Sequence, residues 1–217
     1  MIDKGIAFVC EGETEQIFYK GLIDWCCATL PNVVDYQSIC DEFGEKRYII
    51  TTKKQKVLVR FKIVSSITQM PHAGMWVRNI CIGEKSNFPW TVCLCYDTDS
   101  YNDDITRFHD GDWAAFRKNL EAISNQIRVV DLAAKADIED IMLIDIKGIA
   151  KFLNVSDIVV PSGGKGKTKM KYIFRGNGRY YHEGIRAQGL INNLDFGYIC
   201  ENSPIPLNDI VKEIFAE

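Results

Sequence analysis

Residues 90–100 read Trp90-Thr91-Val92-Cys93-Leu94-Cys95-Tyr96-Asp97-Thr98-Asp99-Ser100, a continuous apolar run that ends abruptly in polar residues. A short apolar run bounded by polar turn residues is typical of a strand that is buried on both faces in a parallel sheet. Because side chains at positions i and i+2 of an extended segment point the same way, we expect Asp97 and Asp99 to present two carboxylates side by side. In open α/β sheets, ligands collect at this carboxyl edge of the strands.

Two carboxylates that are held together repel each other, so one of them takes up a proton unless a cation lies between them. A divalent ion with oxygen ligands is the natural third member, and Mg²⁺ is the simplest choice. The end of this strand therefore predicts a metal site.

A second buried strand is indicated near the N-terminus, where Gly5-Ile6-Ala7-Phe8-Val9-Cys10 also ends in an acid, Glu11. Gly12 permits a tight turn, and the apolar residues that follow recur at helical spacing from Gln16 to Trp25. A strand, a glycine turn and a helix make half of a βαβ unit. The pattern predicts an α/β, Rossmann-like fold with a mostly parallel sheet flanked by helices, in which Glu11 lies at the same edge as the aspartates.

Two further segments are predicted from local signals. Pro31-Asn32 and Asp41-Glu42-Phe43-Gly44 indicate a loop over residues 31–45. Residues 57–64 alternate well enough for a half-buried strand, with Arg60 and Lys62 on its exposed side.

Composition places the chain among ordinary globular proteins, with 217 residues, 47% hydrophobic and 25% charged. The longest apolar runs are shorter than the roughly 20 residues that cross a bilayer, and the N-terminal residues lack the layout of a signal peptide. The eight cysteines form no Cys-x-x-Cys pair, and the three histidines are scattered, so no zinc framework is indicated. We expect a cytoplasmic protein with reduced, buried thiols and no membrane contact.

Basic residues are concentrated in two segments. Residues 46–62 contain seven and no acid, and residues 163–186 contain seven against Glu183 alone. The acidic stretch from Asp97 to Asp145 lies between them, which suits a polyanion held over a metal site. For either basic run by itself, a solvated face is the simpler explanation. Because the character of the chain changes after residue 155, we expect a core over residues 1–155 and a small, basic, helical C-terminal extension over residues 156–217 that packs on it.

Three other acids lie where helices are predicted to begin: Glu13, Glu15 and Glu139. Acids in a first helical turn are stabilised by the helix dipole by about 0.3–1 kcal/mol each, and this is the simpler account of Glu13. For Glu15 and Glu139, a place at the carboxyl edge of the sheet is an equal alternative.

The segment Pro161-Ser162-Gly163-Gly164-Lys165-Gly166-Lys167-Thr168 nearly matches the Walker A pattern Gly-x-x-x-x-Gly-Lys-Thr. Pro161 replaces the first glycine, and the best Walker B candidate, the run that ends at Asp97, comes before this loop rather than after it. We therefore expect a flexible, lysine-bearing loop that contacts phosphate, in preference to hydrolysis of a nucleoside triphosphate. Tyr180 and Tyr181, beside Arg179, could stack a base, although packing is the simpler role.

The pairing of Cys10-Glu11-Gly12-Glu13-Thr14-Glu15 with Tyr96-Asp97-Thr98-Asp99 resembles the Toprim domain of topoisomerases, bacterial primases, small RNA-maturing ribonucleases and OLD-family nucleases. The form Glu-Gly-x-Thr-Glu is most similar to the OLD and RloB-like branch, which occurs in bacterial anti-phage defence systems. The segment Ile138-Glu139-Asp140-Ile141-Met142-Leu143 resembles the acidic helix start of that branch. The resemblance covers residues 5–153.

This resemblance implies a Toprim-like fold and a Mg²⁺- or Mn²⁺-dependent nuclease acting on DNA or RNA. Glu11, Asp97 and Asp99 match the metal-binding positions of the family, and Glu15 and Glu139 match acids that bind a second metal in the OLD branch. One of Lys165 or Lys167 could supply the basic group that such nucleases use. The implied catalytic set is Glu11, Asp97, Asp99, Glu139, Lys165 and Lys167, and the implied metal ligands are Glu11, Glu15, Asp97, Asp99 and Glu139.

Two other interpretations remain open. A non-catalytic, Toprim-like subunit could bind nucleic acid or a partner ATPase through the basic segments, because full OLD proteins carry an ATPase domain that this sequence lacks. A Mg²⁺-assisted phosphotransfer on a small molecule is the third interpretation. The expected partners are nucleic acid, with tRNA among the candidates, an ATPase protein, and a second copy of the chain.

Overall fold

The computed structural model describes residues 1–40, 46–83, 87–99, 101 and 110–215. The elements of these residues are, in chain order, β1 (Lys4–Cys10), α1 (Glu13–Thr29), β2 (Val33–Cys40), β3 (Lys46–Thr52), β4 (Lys56–Ile63), α2 (Ala73–Trp76), β5 (Trp90–Asp97), α3 (Asp110–Glu121), β6 (Ile127–Ala134), α4 (Ile138–Met142), α5 (Ile146–Leu153), α6 (Gly166–Gly176), α7 (Gln188–Ile191), α8 (Phe196–Asn202) and α9 (Leu207–Phe215). Short 3₁₀ helices span Ile67–His72 and Gly184–Ala187, and a π-helical turn, Val77–Ile82, continues α2.

Six strands in the described part of the chain form one sheet in the order β2-β3-β4-β1-β5-β6. The four strands β4, β1, β5 and β6 run parallel, while β3 and β2 pair antiparallel at one edge. Parallel neighbours need crossover connections, and helices supply them on both faces of the sheet. The prediction of an α/β, Rossmann-like fold with a mostly parallel sheet is confirmed.

The central strands are apolar throughout because both faces of the sheet are covered. On β1, Ile6 and Phe8 pack into one hydrophobic cluster with α1 and helices α4–α9, whereas Ala7 and Val9 pack into another with α2 and α3. Such strands lose the alternation of a half-exposed sheet and read as continuous apolar runs. Helices α6–α9, which belong to the predicted C-terminal extension, thus share a core with β1. The boundary at residue 155 stays a prediction.

Two local predictions were wrong. Residues 33–40 form the edge strand β2 instead of a loop, and residues 41–45 lie outside the described part. Most of β2 is exposed, so no buried face gives it a periodic apolar pattern. Arg60 is only 1% exposed, because the face of β4 that was expected to meet solvent is covered by the second cluster, to which its neighbour Leu58 belongs.

No helix within the described ranges is long and apolar enough to span a bilayer. All eight cysteines fall in those ranges, and each is a free thiol. Six of the eight are buried, as their positions in apolar runs predict.

Helix α6 begins directly against the start of α4. The backbone N–H groups of Gly166 and Lys167 donate to the carboxylates of Asp140 and Asp137, at 2.8 and 3.0 Å. A Cβ on Gly166 would lie 2.2 Å from the backbone nitrogen of Asp140. Only a glycine allows the two helix ends to approach so closely.

Gly166→Ala should lower the free energy of unfolding by about 1–3 kcal/mol, the usual cost of overpacking. Gly176→Ala is the matched control, because it lies in the same helix and an added Cβ there meets nothing within 4 Å. Urea denaturation of both variants and the parent measures the difference. Equal stabilities would show that α6 does not dock on α4 as described.

Candidate functional site

The ends of β1 and β5 bring two of the predicted acids together. These strands are parallel neighbours whose register pairs Cys10 with Cys95. Glu11 follows β1 and Asp97 ends β5, so both reach the carboxyl edge of the sheet. The backbone N–H of Asp97 donates to Oε2 of Glu11 at 3.2 Å. The topology that was inferred from two apolar runs thus places their terminal acids in contact.

A cavity of about 420 Å³ opens at this edge. Four of the five predicted metal-site acids line it, each delivered by a different element: Glu11 after β1, Glu15 in the first turn of α1, Asp97 at the end of β5 and Glu139 in the first turn of α4. The remaining wall comes from the start of α1, the segment after β4, the start of α4 and the C-terminal part of the chain, through Gly12, Glu13, Thr14, Ser65, Ile138, Lys167, Glu183 and Gly184.

Asp97 is the most perturbed acid in this cavity. Burial above all, and then the nearby carboxylates of Glu15, Glu139 and Glu11 in that order, raise the pKa of its carboxyl group from 3.8 to about 10. Its Oδ1 atom is buried and has no hydrogen-bond partner among the residues that the structure describes. Buried polar atoms are almost always satisfied, so this oxygen is available for a proton or a cation.

Glu15 and Glu139 are also almost fully buried, with 6% and 2% of their surfaces exposed. Burial, with a smaller contribution from the charges of Glu11 and Glu139, raises the pKa of Glu15 to about 7. Burial also raises the pKa of Glu139, and the net value is about 6 because a hydrogen bond from the hydroxyl of Tyr181, at 2.8 Å, opposes the shift. Among the described residues, the cavity therefore gathers four carboxyl groups of the predicted metal site beside one lysine, Lys167.

Asp99 does not line the cavity. The strand β5 ends at Asp97, and Asp99 has a φ of 59°, in the left-handed region, so the i, i+2 rule of extended strands does not relate the two side chains. Thr98 turns inward and accepts a hydrogen bond from the backbone of Ala136 at 2.9 Å. The carboxylate of Asp99 instead accepts from Nζ of Lys165 at 2.9 Å, near the surface. The side-by-side pair was wrong as geometry, and the metal role of Asp99 stays a prediction.

The two predicted lysines are separated in the same way. Lys165 pairs with Asp99 outside the cavity, whereas Lys167 lines the cavity and pairs with Glu183 at 2.5 Å. Burial lowers the pKa of Lys167, but its hydrogen bond to Glu183 and the charges of Glu139 and Asp97 outweigh that effect and raise it. Lys167 is therefore held charged at the wall of an acidic cavity.

The loop that resembles Walker A uses its backbone differently from a phosphate-binding loop. Phosphate would need the free N–H groups at the N-terminus of the helix that follows. In this chain, the N–H groups of Gly166 and Lys167 already donate to Asp140 and Asp137. The loop thus binds carboxylates of its own chain, which argues against a triphosphate site there.

Several contacts of the site gave no sequence signal. Glu13 accepts a hydrogen bond from the backbone of Ile185 at 3.0 Å, and Thr14 accepts one from Gly184 at 2.9 Å. Gly184 has a φ of 61°, and a Cβ there would lie 2.1 Å from Oε2 of Glu13. The first turn of α1 therefore holds the segment that carries Glu183, a contact between residues about 170 positions apart that no local pattern reveals.

The donor chemistry of the cavity fits a hard divalent cation, because Mg²⁺ prefers carboxylate oxygens and one such oxygen here lacks a partner. In the described residues, however, no group of three or more His, Cys, Asp or Glu side chains is arranged closely enough to hold a metal ion. The acids share a cavity without yet forming a coordination sphere. Repulsion separates carboxylates that have no cation between them, and the shared cavity and the unpaired Oδ1 of Asp97 are consistent with such a site.

No protein-family model matches the chain, and no curated protein matches it. Among solved structures, it is similar to the 5'-methylthioadenosine/S-adenosyl homocysteine nucleosidase of Campylobacter jejuni, with 10% identity and a TM-score of 0.34 over 100% of both chains. It is also similar to the Helicobacter pylori MTAN, with 8% identity and a TM-score of 0.25 over 93% of this chain and 84% of that one. TM-scores and identities this low indicate neither a family nor a function for this chain.

The raised pKa values of Asp97 and Glu15 predict a stability that depends on pH in the presence of a chelator. The folded protein holds these protons more tightly than the unfolded chain, so their contribution is fully present below the ordinary values of 3.8 and 4.5 and is lost as the pH rises towards about 10 and about 7. Between about pH 5 and 8, the free energy of unfolding should fall by more than about 1.4 kcal/mol, the value of one pKa unit.

Asp97→Asn should remove much of this fall in the free energy of unfolding, because the amide has no proton to lose. Glu11, Glu139 and Lys167 remain in the cavity of the variant. The control is Asp157→Asn, an exposed carboxylate whose substitution should leave the slope unchanged. Chemical denaturation at each pH gives the three slopes. The same slope in Asp97→Asn as in the parent would contradict this account.

Proposed function

We propose that this chain is a metal-dependent nuclease, a phosphodiesterase that hydrolyses DNA or RNA. The observation that carries the proposal is the cavity into which Glu11, Glu15, Asp97 and Glu139 converge, with Lys167 on its wall. Acids that each come from a different element, and that are buried at an energetic cost, are typical of functional sites. The Toprim-like sequence pattern supports the same chemistry, and with it a role in bacterial anti-phage defence in the cytoplasm.

The acids of the cavity would hold Mg²⁺ or Mn²⁺, with Asp97 and Glu11 as the central ligands and Glu15 and Glu139 beside them. When bound, such an ion neutralises charge on a phosphate and lowers the pKa of a water. Asp97 contributes the unpaired Oδ1 atom. Glu139 is held in place by the hydroxyl of Tyr181, and partners of this kind orient ligands and usually matter for affinity.

Lys167 supplies the positive charge that the transferring phosphoryl group requires. Its Nζ atom contacts Glu183, and Lys171 contacts the other carboxylate oxygen of Glu183 at 3.6 Å. A phosphate entering the cavity competes with Glu183 for both lysines. The lysines can then stabilise charge as it develops on the phosphate, which is where preorganised groups contribute most to catalysis.

A non-catalytic subunit that binds nucleic acid, or a partner ATPase, is the second candidate. It is favoured by one observation, namely that the described acids do not form a coordination sphere. In that case, the cavity would be a vestige of the Toprim-like pattern, and the basic surfaces would carry the function. The two candidates differ in their response to metal.

The decisive variants are Asp97→Asn and Glu11→Gln. For the parent, Mg²⁺ or Mn²⁺ at about 100 times Kd should add about 2.7 kcal/mol of stability, or roughly 5–10 °C in Tm for a chain of this size. Cleavage of plasmid, single-stranded DNA or bulk tRNA should need the metal. Both variants should lose the Tm shift, and their cleavage should fall by about 10²–10³-fold, the scale of lost transition-state stabilisation.

Asp157→Asn is the control and should keep both properties. In chelator, Asp97→Asn should be at least as stable as the parent at neutral pH, because the amide removes the cost of protonating this buried carboxyl group on folding. Cleavage by Asp97→Asn at the parental rate would refute the nuclease. Nucleic-acid binding with neither a metal-dependent Tm shift nor cleavage would favour the binding subunit.

A further inference from the structure

Two large aromatic side chains are exposed on α6 and on the segment that follows it. Tyr172, on α6, is 64% exposed, and Tyr180, in the segment after α6, is 76% exposed. The next residue, Tyr181, is buried and donates to Glu139 in the cavity. Since neighbouring residues are only 3.8 Å apart at Cα, the exposed ring of Tyr180 starts from the chain segment that forms the cavity wall.

The same helix and the segment after it also carry basic side chains. Lys167, Lys171 and Arg175 are spaced four residues apart on α6, which places them along one face of the helix. Arg175 is exposed and forms no ion pair within the described residues. The guanidinium of Arg179 lies over the ring of Phe152, 5.6 Å from its centroid, and donates to the backbone oxygen of Phe152 at 3.2 Å. Its charge is thus fixed in position and still exposed.

The row of charges leads to the cavity. Lys167 is on the cavity wall, and Arg175 lies eight residues further along α6, about 12 Å away at 1.5 Å per residue. A strand that follows this row has its phosphates beside several cations, which attract the backbone through their charge. This part of the molecule therefore combines a row of cations that can contact a phosphate backbone with two exposed aromatic rings that can stack on bases.

We propose that the face formed by Tyr172, Arg175, Arg179 and Tyr180, here termed the tyrosine–arginine face, binds single-stranded nucleic acid by base stacking and leads the strand to the cavity. Binding itself does not depend on the nuclease proposal, but the delivery of a strand for cleavage rests on it.

The exposed rings are what selects a single strand. In a duplex, bases are stacked on each other, and an aromatic side chain cannot reach their faces, whereas unpaired bases stack on tyrosine and on arginine planes. Stacking of this kind tolerates any base, because every base has a π-face. The shared chemistry of the ligand is an unpaired base on a phosphate backbone, from either DNA or RNA.

The test is fluorescence anisotropy in EDTA, with labelled mixed-sequence single strands of DNA and of RNA and with a duplex of equal length. We expect the parent to bind at least one of the single strands more tightly than the duplex. Tyr172→Ala and Tyr180→Ala should each weaken that binding by about 5- to 150-fold, the range for loss of one stacked base. Arg175→Ala should reduce the slope of log K against log salt by about one.

Tyr198→Ala is the matched control. Tyr198 is 50% exposed on α8. A Cβ added to the adjacent Gly197 would lie 3.0 Å from Trp25, which is twelve residues along α1 from Glu13 at the cavity. That separation is about 18 Å of helix. The affinity of Tyr198→Ala for the single strand should therefore equal that of the parent. Parental affinity in both tyrosine variants, an equal loss in Tyr198→Ala, or a preference for duplex would overturn the proposal.

Failure here can be told apart from failure of the nuclease proposal. Asp97→Asn should bind the single strand in EDTA at least as well as the parent, because the tyrosine–arginine face is intact. Tyrosine variants that lose binding, together with an Asp97→Asn variant that cleaves normally, would support the binding face and refute the catalytic site. If the parent cleaves in a metal-dependent way while both tyrosine variants bind the single strand normally, the catalytic site would be supported and the binding face refuted.

Discussion

The parallel pairing of β1 with β5 is the constraint on which the site depends. It brings Glu11 and Asp97 to one end of the sheet, in contact with each other, and the first turns of α1 and α4 add Glu15 and Glu139 to the same cavity. Like charges at this depth cannot all be ionised without a counter-charge. Burial first, and then the charges of neighbouring acids, raise the pKa values of Asp97, Glu15 and Glu139.

The C-terminal part of the chain supplies a positive charge and a hydrogen-bond donor to the acids of the cavity. Helix α6 docks on the start of α4 through Asp137 and Asp140, which positions Lys167 at the cavity. Tyr181 holds Glu139 through a hydrogen bond from its hydroxyl. Because these contacts join residues that are far apart in sequence, the cavity exists only when the whole chain is folded. The acids from the first part and the cations from the last part form one electrostatic unit.

Much of the architecture could be predicted from the sequence because β1 and β5 are buried on both faces and read as unbroken apolar runs. The convergence of Glu11 with Asp97 followed from parallel topology alone. Asp99 could not be placed, since the chain leaves extended geometry after Asp97 and turns the next side chain inward. Glu183 was missed for another reason: its place depends on contacts with the first turn of α1, and such long-range contacts leave no local pattern.

Anomalous X-ray diffraction from crystals soaked in Mn²⁺ tests the central claim most directly, because it locates the ion without relying on activity. The account predicts a Mn²⁺ peak in the cavity, ligated by Asp97 together with others of the four acids, and no such peak in Asp97→Asn crystals. A cavity that stays empty of metal in the parent at saturating Mn²⁺, or a peak that persists in Asp97→Asn, would contradict it.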